Sequence, residues 1–437
     1  MTAVNHNLTA AEASYIIEDC DARALVVSAG KAQVVDGLDV AVEHRLVYGG
    51  QITGYDDYEA AIEAAGTAPL PEQPHGDDLL YSSGTTGRPK GIKLPLPEIQ
   101  VDEPGYRYVT IFGGLYGFDE DTVYLSPAPV YHAAPLRFGG VVHATGGTLV
   151  MMERFDAEGL LGAVERYRVT HTQMVPTMFV RLLKLDAQVR GGYDVSSLRC
   201  VVHAAAPCPV DVKRAMIDWL GPIIHEYYAS TESNGATMID SEQWLAHPGS
   251  VGLPLIGVPH VCDETGAVLP PGEVGTLYFE REELDGPSFA YHKDPEKTAS
   301  TQHPEHPSWT TVGDLGYLDE EGYLYLTDRA AFMIISGGVN IYPQEIEDAF
   351  TLHPQVLDIG VVGMPDDEMG ERVVAFVQVA EGSEPGESLR EELVAHARTH
   401  LAGYKVPREF VFLEQLPRTP TGKMVNRELR TAYPGSS

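Results

Sequence analysis

Thr9 followed by Glu12 forms a capping box, and Ala13, Ile16 and Ile17 recur behind it at helical spacing, so the chain is expected to open on a helix over residues 10–20. The continuous apolar run ALVVSA, residues 24–29, reads as a strand, and strand and helix patterns then alternate to about residue 230. That alternation predicts layered α/β sheets. From about residue 250 to 328 the pattern changes to short alternating runs such as TLYFE and GYLYLTD, separated by Gly and Pro, which predict a β-rich subdomain. Past Arg329 comes a compact tail: the helix PQEIEDAF opened by Pro343, the strands VLDIGVVG, VVAFVQVA and EFVFLE, and a longer helix from Leu389. Ser388 and Glu391 read as a second capping box for that helix, whose Leu389, Leu393, Ala397 and Leu401 repeat every four residues up to Gly403. The expected organisation is α/β: a large N-terminal domain over 1–328 with its β-rich subdomain, and a small mobile α+β domain over 329–437. No Pro/Ser-rich linker separates the two, which predicts a short hinge.

Composition narrows the classes. With 43% hydrophobic and 21% charged residues among 437, the chain has the make-up of a folded protein. Its formal charge of −33 repels phosphate backbones and anionic lipid, so broad nucleic-acid or membrane-surface binding is not expected, and any anionic ligand needs a local cationic site. The four cysteines make no C-x-x-C pair and no zinc spacing, the N-terminus lacks a basic and an apolar targeting region, and no run of about 18 apolar residues occurs. A cytoplasmic protein without integral membrane contact is expected; a homodimer stays open.

The densest chemistry lies in YSSGTTGRPKG, residues 81–91. Gly84 and Gly87 let backbone N–H groups approach a polyphosphate, Ser82, Ser83, Thr85 and Thr86 donate hydrogen bonds, and Lys90 adds positive charge. Such a loop suits ATP. It is no Walker A loop, because the G-x-x-x-x-G-K-[ST] spacing is absent and GIKLP reads as a strand. The alternative is a solvated Gly/Ser/Thr turn.

This segment resembles the signature phosphate loop of the adenylate-forming superfamily: acyl-CoA synthetases, peptide-synthetase adenylation domains and luciferases. Further matches follow in that family's order across essentially the whole chain. YYASTES, residues 227–233, resembles the aromatic-Gly-x-Thr-Glu motif, which implies an aromatic at adenine (Tyr227, Tyr228), backbone approach at Ala229 and Ser230, Thr231 at the α-phosphate and Glu232, with Ser82, at Mg2+. HAAAP, residues 203–207, stands where the family has a small-residue strand end against adenine, here Ala205 and Ala206. The stretch 309–329 resembles the ribose-binding region, implying Asp314 as bidentate acceptor and Arg329 as its cation. Gly337 and Gly338 then match the stretch that lines the pantetheine passage, and PRTPTGKMVNRELR, residues 417–430, resembles the C-terminal motif with its catalytic lysine, here Lys423. The hinge departs from the pattern: Ala330, Ala331 and Phe332 stand where relatives commonly carry charged residues.

VYHAAP, residues 130–135, matches the motif beside the acyl pocket. Amino-acid-activating relatives place an aspartate there for the substrate ammonium, whereas this chain has Tyr131 and His132, so a plain carboxylic acid is expected, with His132 either catalytic or packed in the structure. The resemblance implies an ATP-dependent acid–CoA ligase acting through an acyl-adenylate, with ATP, Mg2+ and CoA. The segment MVPTMFVRLLKL, residues 174–185, looks most like that of fatty-acyl and related ligases, which implies a fatty-acyl or related bulky acid. Family members usually begin with a segment that this chain lacks, so it reads as N-terminally truncated. A truncated non-catalytic nucleotide- or partner-binding remnant is one rival. An adenylation domain serving a carrier protein is another, although only 14 residues follow Lys423.

Overall fold

The structure, a computed structural model, describes residues 1–82, 89–329, 332–366, 368–418 and 424–433. Its centre is a seven-stranded sheet in the order Leu253–Ile256, Ala236–Ile239, Ile224–Ala229, Cys200–His203, His171–Met174, Val123–Ser126, Thr148–Met151. The last five run parallel, and the first two are antiparallel additions at one edge. Strands His171–Met174 and Cys200–His203 are buried throughout, as central parallel strands covered by helices on both faces must be. Period-two alternation splits their side chains. Leu125, Val201 and Ile224 face the helices Ala157–Tyr167, Pro176–Leu183 and Val210–Leu220, while Tyr124, Cys200, Val202 and Tyr227 face Arg107–Tyr116 and Ala133–Ala144.

Two smaller sheets flank this core. Val258–Cys262, Gly275–Glu280, Asp314–Leu318 and Leu324–Arg329, with Trp309–Thr310, build an antiparallel sheet, the β-rich region expected from its short alternating runs. Leu80–Ser82, Lys90–Lys93 and Ala290–Tyr291 form an antiparallel three-stranded sheet, so the first three residues of GIKLP are strand, which ends at Lys93. Sheet membership changes after Leu324–Arg329. Ile334–Ser336 belongs to a second five-stranded sheet, with Val339–Ile341, Val356–Asp366, Gly370–Val379 and Glu409–Leu413, which packs against helices Pro343–Phe350 and Glu387–His400 through Ile346, Phe350, Leu389, Leu393 and Ala397.

The first helix, Ala10–Asp19, carries the Thr9/Glu12 capping box in full. The second box does not form. Helix Glu387–His400 starts earlier than its hydrophobic repeat, from an extended Gly386 whose carbonyl accepts from Arg390 N, leaving Ser388 inside the first turn and not at the cap. Glu387 in that first turn is favourably placed on the helix dipole and pairs with Arg390. Among the described residues no helix is long and apolar enough to cross a membrane.

Candidate functional site

The hairpin Leu80–Ser82/Lys90–Lys93 pins both ends of the expected phosphate loop. Tyr81 pairs with Gly91 and Ser82 with Lys90, so the hydroxyl and the ammonium expected at the phosphates leave from register partners. Ser83, Gly84, Thr85, Thr86 and Gly87 lie outside the described residues. Gly91 sits at a close approach: a Cβ there would lie 3.0 Å from Tyr81 Cζ and 3.1 Å from His292 Cβ, tight enough that a neighbour would have to shift. The Tyr81 hydroxyl donates to Asp19 Oδ2 at 2.5 Å, and burial together with that carboxylate raises its pKa.

Lys90 Nζ stands 5.5 Å from the centroid of the Tyr291 ring, and the Tyr291 hydroxyl donates to Glu232 Oε1 at 2.9 Å. Cation, aromatic and carboxylate thus form one chain from the hairpin to the turn after strand Ile224–Ala229. That turn is tightly braced. Ser233 N donates to Ser230 O at 3.1 Å, Ser230 Oγ donates to Asn234 Oδ1 at 2.8 Å, and the buried Asn234 donates to Thr310 O at 3.1 Å. Thr231 is half-buried in the same turn. Glu232, 9% exposed, offers the hard oxygen Mg2+ prefers. No cluster of three or more acidic, His or Cys ligands occurs among the described residues. Ser82, opposite Lys90 in the hairpin, is half-buried.

The two tyrosines of YYASTES part company. Tyr228 donates to Asp314 Oδ2 at 2.6 Å and lies against Phe279, bringing the adenine and ribose motifs together. Tyr227, one residue earlier on the strand, points to the opposite face and packs on Phe112 and Phe138 with centroids 6.0 and 6.1 Å away. Its expected place at adenine is therefore corrected: alternation gives it to the aromatic core, where burial raises its pKa. Asp314 is buried and is the register partner of Arg329, whose side chain lies outside the described residues.

Ala205 and Ala206 emerge exposed from the carboxyl end of strand Cys200–His203, where parallel α/β sheets receive ligands. Ala205 has φ +77°, a left-handed conformation unfavourable for a residue with a Cβ and typical of functional turns. Ala229, the last residue of its strand, pairs with Ala236 of the antiparallel neighbour. His132 occupies the N-cap position of helix Ala133–Ala144 without a capping bond, its ring 4.5 Å from that of Tyr131. Gly337 and Gly338, at φ +58° and +77°, form the exposed tip of the hairpin Ile334–Ser336/Val339–Ile341. A Cβ at Gly337 would fall 2.5 Å from Met369 Cε, the end of a flexible side chain that could shift, so its positive φ is the stronger demand for glycine. Lys423, Ala330 and Ala331 lie outside the described residues.

The segment that resembles fatty-acyl ligases lies in the core: Met174, Val175, Met178, Phe179 and Leu182 are all buried in the cluster under the central sheet. Tyr291 was not foreseen. Nothing in YHKDPEKT marks it, and only the pairing of Ala290–Tyr291 with Lys90–Lys93 brings it to Glu232.

Comparison with known proteins gives the family. A family model described as AMP-binding enzyme matches residues 1–284, and one described as AMP-binding enzyme C-terminal domain matches 345–423. The chain is 32% identical over 354 residues to a 2-succinylbenzoate–CoA ligase of Bacillus cereus (strain AH820), covering 80% of this chain and 69% of the relative. It superposes with a TM-score of 0.80 and 30% identity on the amide bond synthetase McbA from Marinactinospora thermotolerans, covering 98% of this chain and 84% of that one. With o-succinylbenzoate CoA synthetase (MenE) from Bacillus subtilis, in complex with the acyl-adenylate intermediate OSB-AMP, the TM-score is 0.77 at 26% identity, covering 98% and 82%. With both family domains matched along its length, the chain belongs to the AMP-binding enzyme family, the adenylate-forming acid–CoA ligases that use ATP, Mg2+ and CoA.

Proposed function

We propose that this chain joins an aromatic carboxylic acid of the 2-succinylbenzoate class to CoA through an acyl-adenylate. The observation that carries the adenylation half is the chain Lys90–Tyr291–Glu232, which sets a cation at the phosphate hairpin and a carboxylate at the strand end around one ring. In the first half-reaction the substrate carboxylate oxygen bonds to the α-phosphorus of ATP and pyrophosphate leaves. Lys90, Thr231 and Lys423 hold the oxygens on which negative charge moves, and Glu232, with Ser82, would hold Mg2+, which would supply neutralisation of the phosphate charge. Tyr228 orients Asp314 for the ribose hydroxyls, with Arg329 beside it. In the second half-reaction the CoA sulfur bonds to the acyl carbon and AMP leaves, with the Gly337–Gly338 tip lining the pantetheine path.

The acid class rests on three supports. VYHAAP offers no carboxylate for an α-ammonium. The apolar side chains of residues 174–185, the stretch that resembles fatty-acyl ligases, are packed in the core. Curated relatives 32% identical to this chain carry the name 2-succinylbenzoate–CoA ligase. ATP–pyrophosphate exchange over a panel of aryl, short aliphatic, long-chain and amino acids tests the reading: 2-succinylbenzoate or another aryl acid should give the highest kcat/KM. A long-chain fatty acid at the top of the panel would overturn the acid class, and ATP binding without acid-dependent exchange would overturn the activity.

A further inference from the structure

Three elements that carry the site motifs converge on one guanidinium. Arg137 lies on helix Ala133–Ala144, just past His132, and forks onto Asp78: Nε donates to Oδ2 at 2.9 Å and Nη2 to Oδ1 at 2.8 Å. Both side chains are buried, 9% and 8% exposed. Asp78 stands just ahead of Leu80–Ser82, the strand that enters the phosphate loop. On its other side the guanidinium carbon sits 4.7 Å from the centroid of the Tyr108 ring, and the Tyr108 hydroxyl lies 3.5 Å from Ser233 Oγ, in the turn that presents Glu232. Ser233 has φ +53°, so that turn is held in a conformation its own residue disfavours.

From this convergence we propose that Arg137 is a positioning residue for adenylation, fixing the spacing between the phosphate-loop hairpin, the acyl-motif helix and the Glu232 turn. It touches no reacting atom and acts through Asp78 and Tyr108. Only arginine meets both demands, because its planar fork matches a carboxylate edge-on while its face stacks on a ring; a lysine supplies the charge without the fork or the plane. The assignment rests on the adenylation reading above and deepens it.

The test compares the wild-type chain with Arg137→Lys, Arg137→Met and the double variant Asp78→Asn/Arg137→Met, each measured by thermal melting and by ATP–pyrophosphate exchange with the best acid of the panel. Arg137→Met alone strands a buried carboxylate and is expected to melt early, so its rate is not diagnostic. The double variant removes both charges and is expected to melt near the wild type. Its kcat, and that of Arg137→Lys, should nevertheless fall about tenfold to hundredfold, the scale of displacing reacting groups by about 1 Å, with KM for ATP changed less. A double variant that recovers wild-type kcat along with its melting temperature overturns the assignment, leaving the pair merely structural. Absence of exchange from the wild-type chain overturns the adenylation reading and this assignment with it.

Discussion

The Tyr228 hydroxyl donates to Asp314 Oδ2 at 2.6 Å across 86 residues of sequence, so the tyrosine expected at adenine also orients the carboxylate expected at the ribose. Tyr228→Phe keeps the ring against Phe279 and removes that bond. A hydrogen bond to a charged group contributes about 1.5–3 kcal/mol, so KM for ATP should rise by roughly tenfold or more while kcat falls less. Steady-state exchange kinetics at varied ATP check this; a loss confined to kcat would detach the pair from nucleotide binding.

Tyr291 and Glu232 make a second, separable prediction. Glu232→Gln removes the negative charge expected to hold Mg2+, and Tyr291→Phe removes only the hydroxyl that fixes the carboxylate's direction. Both variants should need more Mg2+ for half-maximal exchange, Glu232→Gln by far the more, with Tyr291→Phe shifted about threefold to tenfold, as expected for one hydrogen bond. Equal Mg2+ dependence in all three proteins would remove Glu232 from the metal.

These residues also mark what the sequence made legible. Glu232, Asp314 and Lys90 each sit in a local string whose chemistry is readable in one dimension, and the structure does join Lys90 to Glu232 through Tyr291. The opposite fates of Tyr227 and Tyr228 follow from strand alternation and were readable once YYA was placed on a strand. Tyr291 and the Arg137–Asp78 pair were not readable, because each depends on a long-range meeting of strands or helices with no motif of its own. The Ser388/Glu391 box misled for a related reason: a cap is decided by where the backbone enters the helix, and the extended Gly386 enters it earlier than the hydrophobic repeat implies.

Lys423 is the residue on which the two half-reactions should separate. Its motif implies a cation bridging substrate carboxylate and α-phosphate as charge moves between them, a role confined to adenylation. Lys423→Ala should lower ATP–pyrophosphate exchange by about 10²–10³-fold, the effect of removing one transition-state donor, while thioester formation from supplied acyl-adenylate survives. Single-turnover assays of each half-reaction check this, and an equal fall in both would refute the division of labour.

The seam between the large and small domains carries a pH-dependent element. Lys184 Nζ donates to Val356 O at 2.7 Å and Leu357 O at 3.1 Å, and beside it a cavity of about 320 Å³ is lined by Asp211 of the large domain and by Asp348, His353, His396 and His400 of the small one. Burial, with the negative charges of Glu345 and Asp211 adding to it and a hydrogen bond from Gln344 opposing it, pushes the Asp348 carboxyl up to about 7. A raised carboxyl pKa means the folded, docked chain holds the proton more tightly than the open chain. The stabilisation is therefore complete below the ordinary carboxylate pKa of about 4 and is lost as pH rises toward about 7, with no further change above. Asp348→Asn keeps the shape and cannot ionise. It should leave melting at pH 4 nearly unchanged and raise the melting temperature at pH 8, each kcal/mol of relief contributing roughly 2–4 °C. Melting curves of both proteins from pH 4 to 8 check the sign, and parallel curves would show that Asp348 is already free to ionise in the docked state.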